Sequence, residues 1–340
     1  MKAVFHSTQR NHNPDFFLSS GARLPNPELP ERVDALLAGA SAAGLDLVEP
    51  ADHGPGNIAA VHSPEYIRFL INIHARWQHI EGASKEVIPN IHPDTRHAGY
   101  PKSAVAQAGY HMMDTSCPIS AQTWDSAYWS ANSAVHAARL VAAGESAVYA
   151  LCRPPGHHAC RDLAGGFCYL NNTAIASQWF CSQGLRPAIL DVDLHHGNGT
   201  QSIFYRRGDV LTISIHADPV RYYPFFWGHA AERGEGDGIG SNLNLPLPRG
   251  TGDDGFLSAL ETALEWVQLS GPDVLVIALG LDAFEGDPFA GLGITTSGFG
   301  QIATRCRHLS LPTLLVQEGG YLCPQLGENL QAFLEPFTKT

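Results

Sequence analysis

The 340-residue sequence is short of positive charge: 21 Lys and Arg stand against 33 Asp and Glu, a formal net charge of −12. Nucleic acid is therefore excluded as the main partner, because neutralising phosphates needs clustered basic side chains. No uninterrupted apolar run reaches the ~18 residues of a membrane-spanning helix, and mean hydropathy is −0.09. The opening MKAVFHSTQRNH lacks the apolar centre of a secretory signal, so the cytoplasm is the expected location. The seven cysteines form no CxxC pair, which removes zinc-ribbon and disulfide-framework readings. Nucleotide-binding glycine loops are missing as well: Gly165-Gly166-Phe167 has neither GxGxxG spacing nor a Walker lysine. With no Pro/Ser-rich linker, internal repeat or low-complexity tract, one domain over residues 1–340 is expected.

What is present is an alternation of strand and helix patterns. Short apolar runs at Ala147–Cys152, Ala188–Val192, Val210–Ile215, Val274–Leu279 and Thr313–Val316 have the length and composition of buried parallel strands. Helical patterns separate them at Ser126–Ala143, Leu170–Gln183, Asp253–Leu269, Ser297–Leu309 and Gln325–Phe337. Such alternation predicts an α/β fold, a mostly parallel central sheet flanked by helices, with a site at the carboxyl ends of the strands. Residues 72–125 resist the pattern. Their mixture of His, Pro, Gly and aromatics predicts a long loop insertion that shapes an entrance or an assembly surface.

Histidine is plentiful, 17 in all, and several stand beside Asp, Gly or another His directly after a strand run. Arg153-Pro-Pro-Gly-His157-His158 follows the first run, and Asp193-Leu-His195-His196-Gly-Asn198 the second. Leu281-Asp282 and Glu318-Gly-Gly-Tyr321 follow two others, so separate strands deliver Asp, His and Tyr to one rim. Asp191, Asp193 and His195 alternate along an extended segment and so lean to one side. Burying them is costly without a compensating charge or hydrogen bonds. A divalent cation on Asp193, His195 and Asp282 meets that need and leaves a position open for chemistry; a hydrogen-bonded strand end without metal is the plain alternative. His157 and His158 read as an acid/base pair with Asp191 and Asn198 as orienting partners. Tyr321 is either an ordinary packed tyrosine or an oxyanion donor. The aromatic run Tyr223-Pro-Phe225-Phe226-Trp227 reads as core packing, with an apolar channel wall as the alternative. A binuclear hydrolase would need bridging carboxylates, and only one ligand-grade aspartate stands at each strand end.

RPPGHH, GGFCYLNN, ILDVDLHHGNGTQ, LTISIH, GLDAFEGDP and EGGY, in this order and spacing over 153–321, resemble the zinc-dependent histone deacetylase superfamily. LPNPELPER resembles its Pro-Glu-Arg segment. The length, the His/Pro insertion, Tyr-Pro-Phe-Phe-x-Gly-His at 223–229 and Phe284, where many members have His, make the chain most similar to the bacterial acetylpolyamine amidohydrolases. The resemblance implies one Zn²⁺ (or Fe²⁺) on Asp193, His195 and Asp282, with His157 and His158 as acid/base histidines. It pairs Asp191 with His157, and gives Tyr321 the scissile carbonyl. Asn198 replaces an Asp found in some members, so the two histidines should differ in basicity. Gly166, Phe167, Tyr223 and Phe289 fall at tunnel positions. A structural K⁺ would take Asp191, Ser214 and backbone oxygens of Asp193, His195 and Ile215, with a second site near Phe204, Arg207 and Val210. The implied activity is deacetylation of a small cationic acetylated amine by a homodimer, Asp114 being a candidate polyamine contact. Deacetylation of acetyl-lysine proteins or of another acyl amine is the alternative.

Overall fold

The computed structural model describes residues 1–95, 97 and 99–338; Arg96 and Ala98, inside the 72–125 stretch, and Lys339 and Thr340 lie outside the described residues. The strands are β1 Lys2–Val4, β2 Phe16–Ser19, β3 Ala22–Pro25, β4 Asp46–Val48, β5 Ala147–Ala150, β6 Pro187–Asp191, β7 Leu211–Ala217, β8 Asn242–Leu247, β9 Val274–Leu279 and β10 Thr313–Gln317. The helices are α1 Glu31–Ala42, α2 Gly56–Ala59, α3 Pro64–Trp77, α4 Ala104–His111, α5 Thr123–Ala142, α6 Asn172–Ser182, α7 Asn198–Phe204, α8 Asp253–Ser270, α9 Thr296–Arg307 and α10 Leu326–Thr338. Each of the five strand runs and five helical patterns expected from the sequence is present, with ends shifted by a few residues.

Eight strands form one sheet in the order β4-β1-β5-β10-β9-β6-β7-β8, parallel throughout. Successive side chains point to opposite faces of a strand, and here both faces are buried. Tyr149, Leu190, Ile277 and Leu315 point to one face, where Leu36 of α1, Leu260 of α8, Ile302 of α9 and Phe333 of α10 cover them. Val148, Ile189, Val276 and Val316 point to the other, under Phe69 of α3, Ala134 of α5 and Ile175 of α6. The result is a single three-layer domain. β2 and β3 form a separate antiparallel ribbon.

The 72–125 stretch is not one long loop. It contains α4, whose Ser103 hydroxyl accepts the Ala106 N–H at 3.2 Å as a helix cap. Ala104 and Ala108 of α4 pack into the second core, and so do Val87 and Ile119, which bridge across the segment. Short apolar segments with an N-cap can fold as a helix against a prebuilt core even without a long periodic pattern.

Candidate active site

The four strands that carry the polar motifs, β5, β10, β9 and β6, are neighbours at the middle of the sheet. Their carboxyl ends therefore open into one hollow. Asp193, His195 and Asp282 meet there with one ligand atom each, all within 4.8 Å of one another. His195 Nδ1 lies 3.0 Å from Asp282 Oδ2 and 3.3 Å from Asp193 Oδ1. Backbone N–H groups hold the carboxylates: Gly319 donates to Asp193 Oδ2 at 2.8 Å and Leu194 to Asp282 Oδ1 at 3.1 Å. A Cβ on Gly319 would fall 2.4 Å from Asp282 Oδ2 and 2.5 Å from Asp193 Oδ2, so only glycine lets the backbone approach this closely.

The electrostatics show what this trio is short of. Burial alone would lower His195, yet its bonds to Asp193 and Asp282 push it up to about 9. Burial raises Asp282, and the Asp193 charge beside it raises it further. Burial opposes ionisation of Asp193 too, but His157 and His195 hold it well below the usual carboxylate range. Two buried carboxylates and one imidazole thus compete for positive charge, and an oxygen–nitrogen–oxygen donor set of this size fits a divalent cation.

The tandem histidines sit beside the trio, their ring centroids 4.0 Å apart. His157 Nδ1 lies 3.0 Å from Asp191 Oδ2, and its Nε2 3.7 Å from Asp193 Oδ1. Burial works against a charged His157, but Asp193 and Asp191 raise it well above the ordinary histidine value. His158 goes the other way. Burial and the neighbouring His157 and His195 lower it, and its Nδ1 meets the Asn198 amide oxygen at 2.7 Å. Since that oxygen only accepts, Nδ1 carries the proton and Nε2 keeps a free lone pair.

The hollow is a cavity of about 740 Å³ lined by His157, His158, Gly166, Phe167, Tyr223, Phe289 and Tyr321 among others. Phe289 and Tyr321 rings lie 4.6 Å apart, and Tyr223 stands edge-on to His158 at 4.8 Å. Burial keeps the Tyr321 phenol well above its ordinary value, and therefore protonated. A Cβ on Gly166 would meet His158 Cδ2 at 2.4 Å, and its φ of +51° suits glycine. Asp114 also lines the cavity, with its oxygens engaged: Oδ2 accepts the Tyr223 hydroxyl at 2.6 Å and the Gly166 N–H at 3.1 Å, and Oδ1 the Ser116 N–H.

The core reading of the aromatic run is overturned: Phe225, Phe226 and Trp227 are 52%, 80% and 52% exposed and line the mouth of the cavity. Their loop turns outward because Tyr222, Tyr223 and Gly228 anchor it at both ends, Tyr222 through a 2.5 Å bond to the Phe289 carbonyl. Asp191 and Ser214 face each other in register across β6 and β7, and both line a small polar cavity with Thr212 and His196. Phe204 and Val210 are buried, and the Arg207 guanidinium is engaged by Asp209.

The histone deacetylase domain matches residues 26–337 of the chain. The chain belongs to the histone deacetylase family. It is 45% identical to the acetylpolyamine amidohydrolase of Burkholderia pseudomallei, over 99% of this chain and 98% of that protein. It is 38% identical to the acetylpolyamine amidohydrolase of Mycoplana ramosa, over 98% and 99%. A solved structure of acetylpolyamine aminohydrolase from Burkholderia pseudomallei superposes with a TM-score of 0.96 at 45% identity, covering 99% of this chain and 98% of that one. The HDA15 HD domain superposes with a TM-score of 0.81 at 25% identity, over 100% and 91%. Among the described residues of this deacetylase-family chain, no helix is long and apolar enough to cross a membrane.

Several buried residues inside the quoted motifs carry roles that the sequence alone leaves unassigned. Arg32 donates to the Gly320 carbonyl at 2.5 Å and the Glu318 carbonyl at 2.8 Å, behind Tyr321. Asp287 accepts the N–H of Phe289 and of Tyr321, both at 2.9 Å, and so joins the tunnel wall to the phenol. A second group of candidate ligands, His157, Cys168 and Glu318, lies next to the trio. Arg32, Asp287, Cys168 and Glu318 stand inside LPNPELPER, GLDAFEGDP, GGFCYLNN and EGGY, and membership of those motifs is their sequence signal.

Proposed function

We propose that the protein is a metal-dependent amidohydrolase that removes acetyl groups from acetylated polyamines of the acetylputrescine, acetylcadaverine and acetylspermidine type. The observation that carries the reading is the joint placement of the Asp193–His195–Asp282 trio with the paired rings of His157 and His158 and the Tyr321 phenol at the inner end of one aromatic-walled cavity. The full-length likeness to proteins named as acetylpolyamine amidohydrolases supports the substrate class.

Asp193, His195 and Asp282 would hold the ion, for which Zn²⁺ and Fe²⁺ both suit the donor set. When bound, it supplies Lewis acidity towards an acyl oxygen and makes water a stronger acid. His158 Nε2, with its free lone pair, takes a proton from the attacking water and returns it to the leaving amine. His157 stays charged through Asp191 and stabilises negative charge as it develops. Tyr321 donates its hydroxyl proton to the acyl oxygen without giving it up. Phe167, Phe289 and Tyr223 hold a slender alkyl chain and exclude water around it. Asp191, Ser214 and the backbone oxygens of Asp193, His195 and Ile215 are the proposed seat of a structural K⁺. A cytoplasmic homodimer is the proposed working state, with residues 72–125 at its entrance.

The test is acetate release by the Zn²⁺-loaded protein from acetylputrescine, acetylspermidine and an acetyl-lysine peptide. Turnover of the acetylpolyamines ahead of the peptide is expected. A preference for the peptide would move the substrate class to acetylated proteins. No acetate from any of them, with metal bound, would end the deacetylase reading.

A further inference from the structure

The proton-transfer groups arrive on two segments remote in sequence: the turn 153–158 brings His157 and His158, and the segment 318–321 brings Tyr321. Glu318 stands where the two meet and is 0% exposed. Its Oε2 accepts the N–H of Gly156 at 2.6 Å and the N–H of His157 at 3.0 Å. Its Oε1 accepts the Thr173 hydroxyl of α6 at 2.8 Å. Its backbone carbonyl accepts Arg32, and the next N–H, from Gly319, reaches Asp193.

The turn explains why a side chain is needed there. The N–H of Arg153 goes to Gln9 Oε1 and Pro154 and Pro155 have none, so Gly156 and His157 carry the next donors along the turn. Past the end of the ladder these donors have no strand to pair with, and buried backbone donors must be satisfied somewhere. Glu318 takes both with one oxygen, and so fixes the peptide from which the His157 ring projects. Tyr321 lies only three residues further along, beyond two glycines, so the same side chain registers both segments.

We propose that Glu318 is a positioning residue that sets the imidazole pair relative to the Tyr321 hydroxyl, acting as a hydrogen-bond acceptor and not as a charge. The kinetic arm of its test rests on the deacetylase activity proposed above. The distinguishing comparison is Glu318→Gln against Glu318→Ala in the full-length, Zn²⁺-loaded protein with acetylputrescine. The glutamine oxygen can still accept both N–H groups, and its NH₂ can donate to the Thr173 hydroxyl oxygen. Glu318→Gln is therefore expected to keep kcat within about 3-fold of wild type, as an acceptor-only role allows. Glu318→Ala is expected to lose roughly 100-fold in kcat with KM changed less than about 3-fold, because misalignment of a reacting group by ~1 Å costs that much.

The histidine ring-proton NMR signals give a readout independent of turnover. Those of His157 and His158 should stay in place in Glu318→Gln and move in Glu318→Ala. If Glu318→Ala does not fold, Thr173→Val replaces it, with the same signals moving less and kcat falling about 3-fold. The proposal is overturned if Glu318→Gln is as impaired as the deletion, or if deletion leaves kcat and the ring signals unchanged. It is equally overturned if kcat and KM worsen together in step with lost stability. A wild-type protein that releases no acetate would count against the proposed activity alone, and the NMR comparison would still decide the role of Glu318.

Discussion

The inner end of the cavity and its mouth are built by different means. At the inner end, Asp193, His195 and Asp282 stand just past β6 and β9, and backbone N–H groups of Leu194 and Gly319 fix their carboxylates. At the mouth, Tyr223, Phe225, Phe226 and Trp227 stand on a loop held by a few side-chain bonds: Asp114 to Tyr223, and His216 and the nearby Glu232 to Gly228. The parallel ladder allows little movement at the inner end, while the loop can be reshaped without disturbing the sheet. Reaction chemistry therefore belongs to the strand ends and substrate choice to the loop.

Removing a carboxylate at the inner end should have the largest effect. Asp282→Asn, or chelation of the wild-type protein, is expected to lower kcat/KM for an acetylpolyamine by more than about 10³-fold, since electrophile and water activation are lost together. Metal content measured on the same samples ties the loss to the ion. Retained activity in a metal-free sample would abolish the division of labour between the two ends.

Tyr321→Phe comes next. It keeps the ring against Phe289 and removes the donor, so kcat should fall about 10²–10³-fold with little change in KM. If KM rose instead, Tyr321 would belong with the mouth.

At the mouth the sign of the split reverses. Tyr223→Phe and Asp114→Asn each weaken the bond that holds the aromatic loop against Gly166. KM is expected to rise about 3–10-fold, with kcat changing little, as the loss of a charge-assisted hydrogen bond that affects binding alone predicts. Steady-state kinetics on short and long acetylpolyamines would check this, and a fall in kcat alone would erase the contrast.

The same contrast governed what the sequence could tell. Asp193, His195 and Asp282 were legible because each polar residue directly follows an apolar strand run, and parallel topology brings such ends together. The mouth was not, because Phe225, Phe226 and Trp227 look the same in sequence whether they face a core or a cleft. Glu318 was hidden for another reason: its meaning lies in the N–H groups of Gly156 and His157, some 160 positions away. The two edge strands, β4 and β8, escaped as well, and so did β1 beside β4. β1 and β4 have three residues each, and β8 contains Pro246 and two asparagines whose amides serve Gln201 and Glu232. α4 escaped because eight residues carry too little periodicity to stand out from the His- and Pro-rich sequence around it.

The smallest effect concerns acid, and it acts on the mouth through His216. This residue is fully buried on β7; its Nε2–H reaches the Gly228 carbonyl at 2.9 Å, and its Nδ1 lies 2.8 Å from the Ser214 hydroxyl. Burial pushes it down to about 4, against the raising effect of those bonds. In the unfolded chain it would titrate near 6.5, so between pH 6.5 and about 4 the unfolded state holds one more proton than the folded one. The stability that neutral His216 provides is complete above pH 6.5 and is lost as pH falls towards 4, at about 1.4 kcal/mol per pH unit. His62, buried against α6 and also lowered to about 4 by burial, adds an equal slope that has nothing to do with the mouth. His216→Gln and His62→Gln should each flatten the pH dependence of the unfolding midpoint by one proton. Only the first should change acid-induced proteolysis at Phe225–Trp227, because only His216 is bonded to that loop. Equal cleavage in both variants would mean that the loop is held from elsewhere, and that the mouth is as rigid as the inner end.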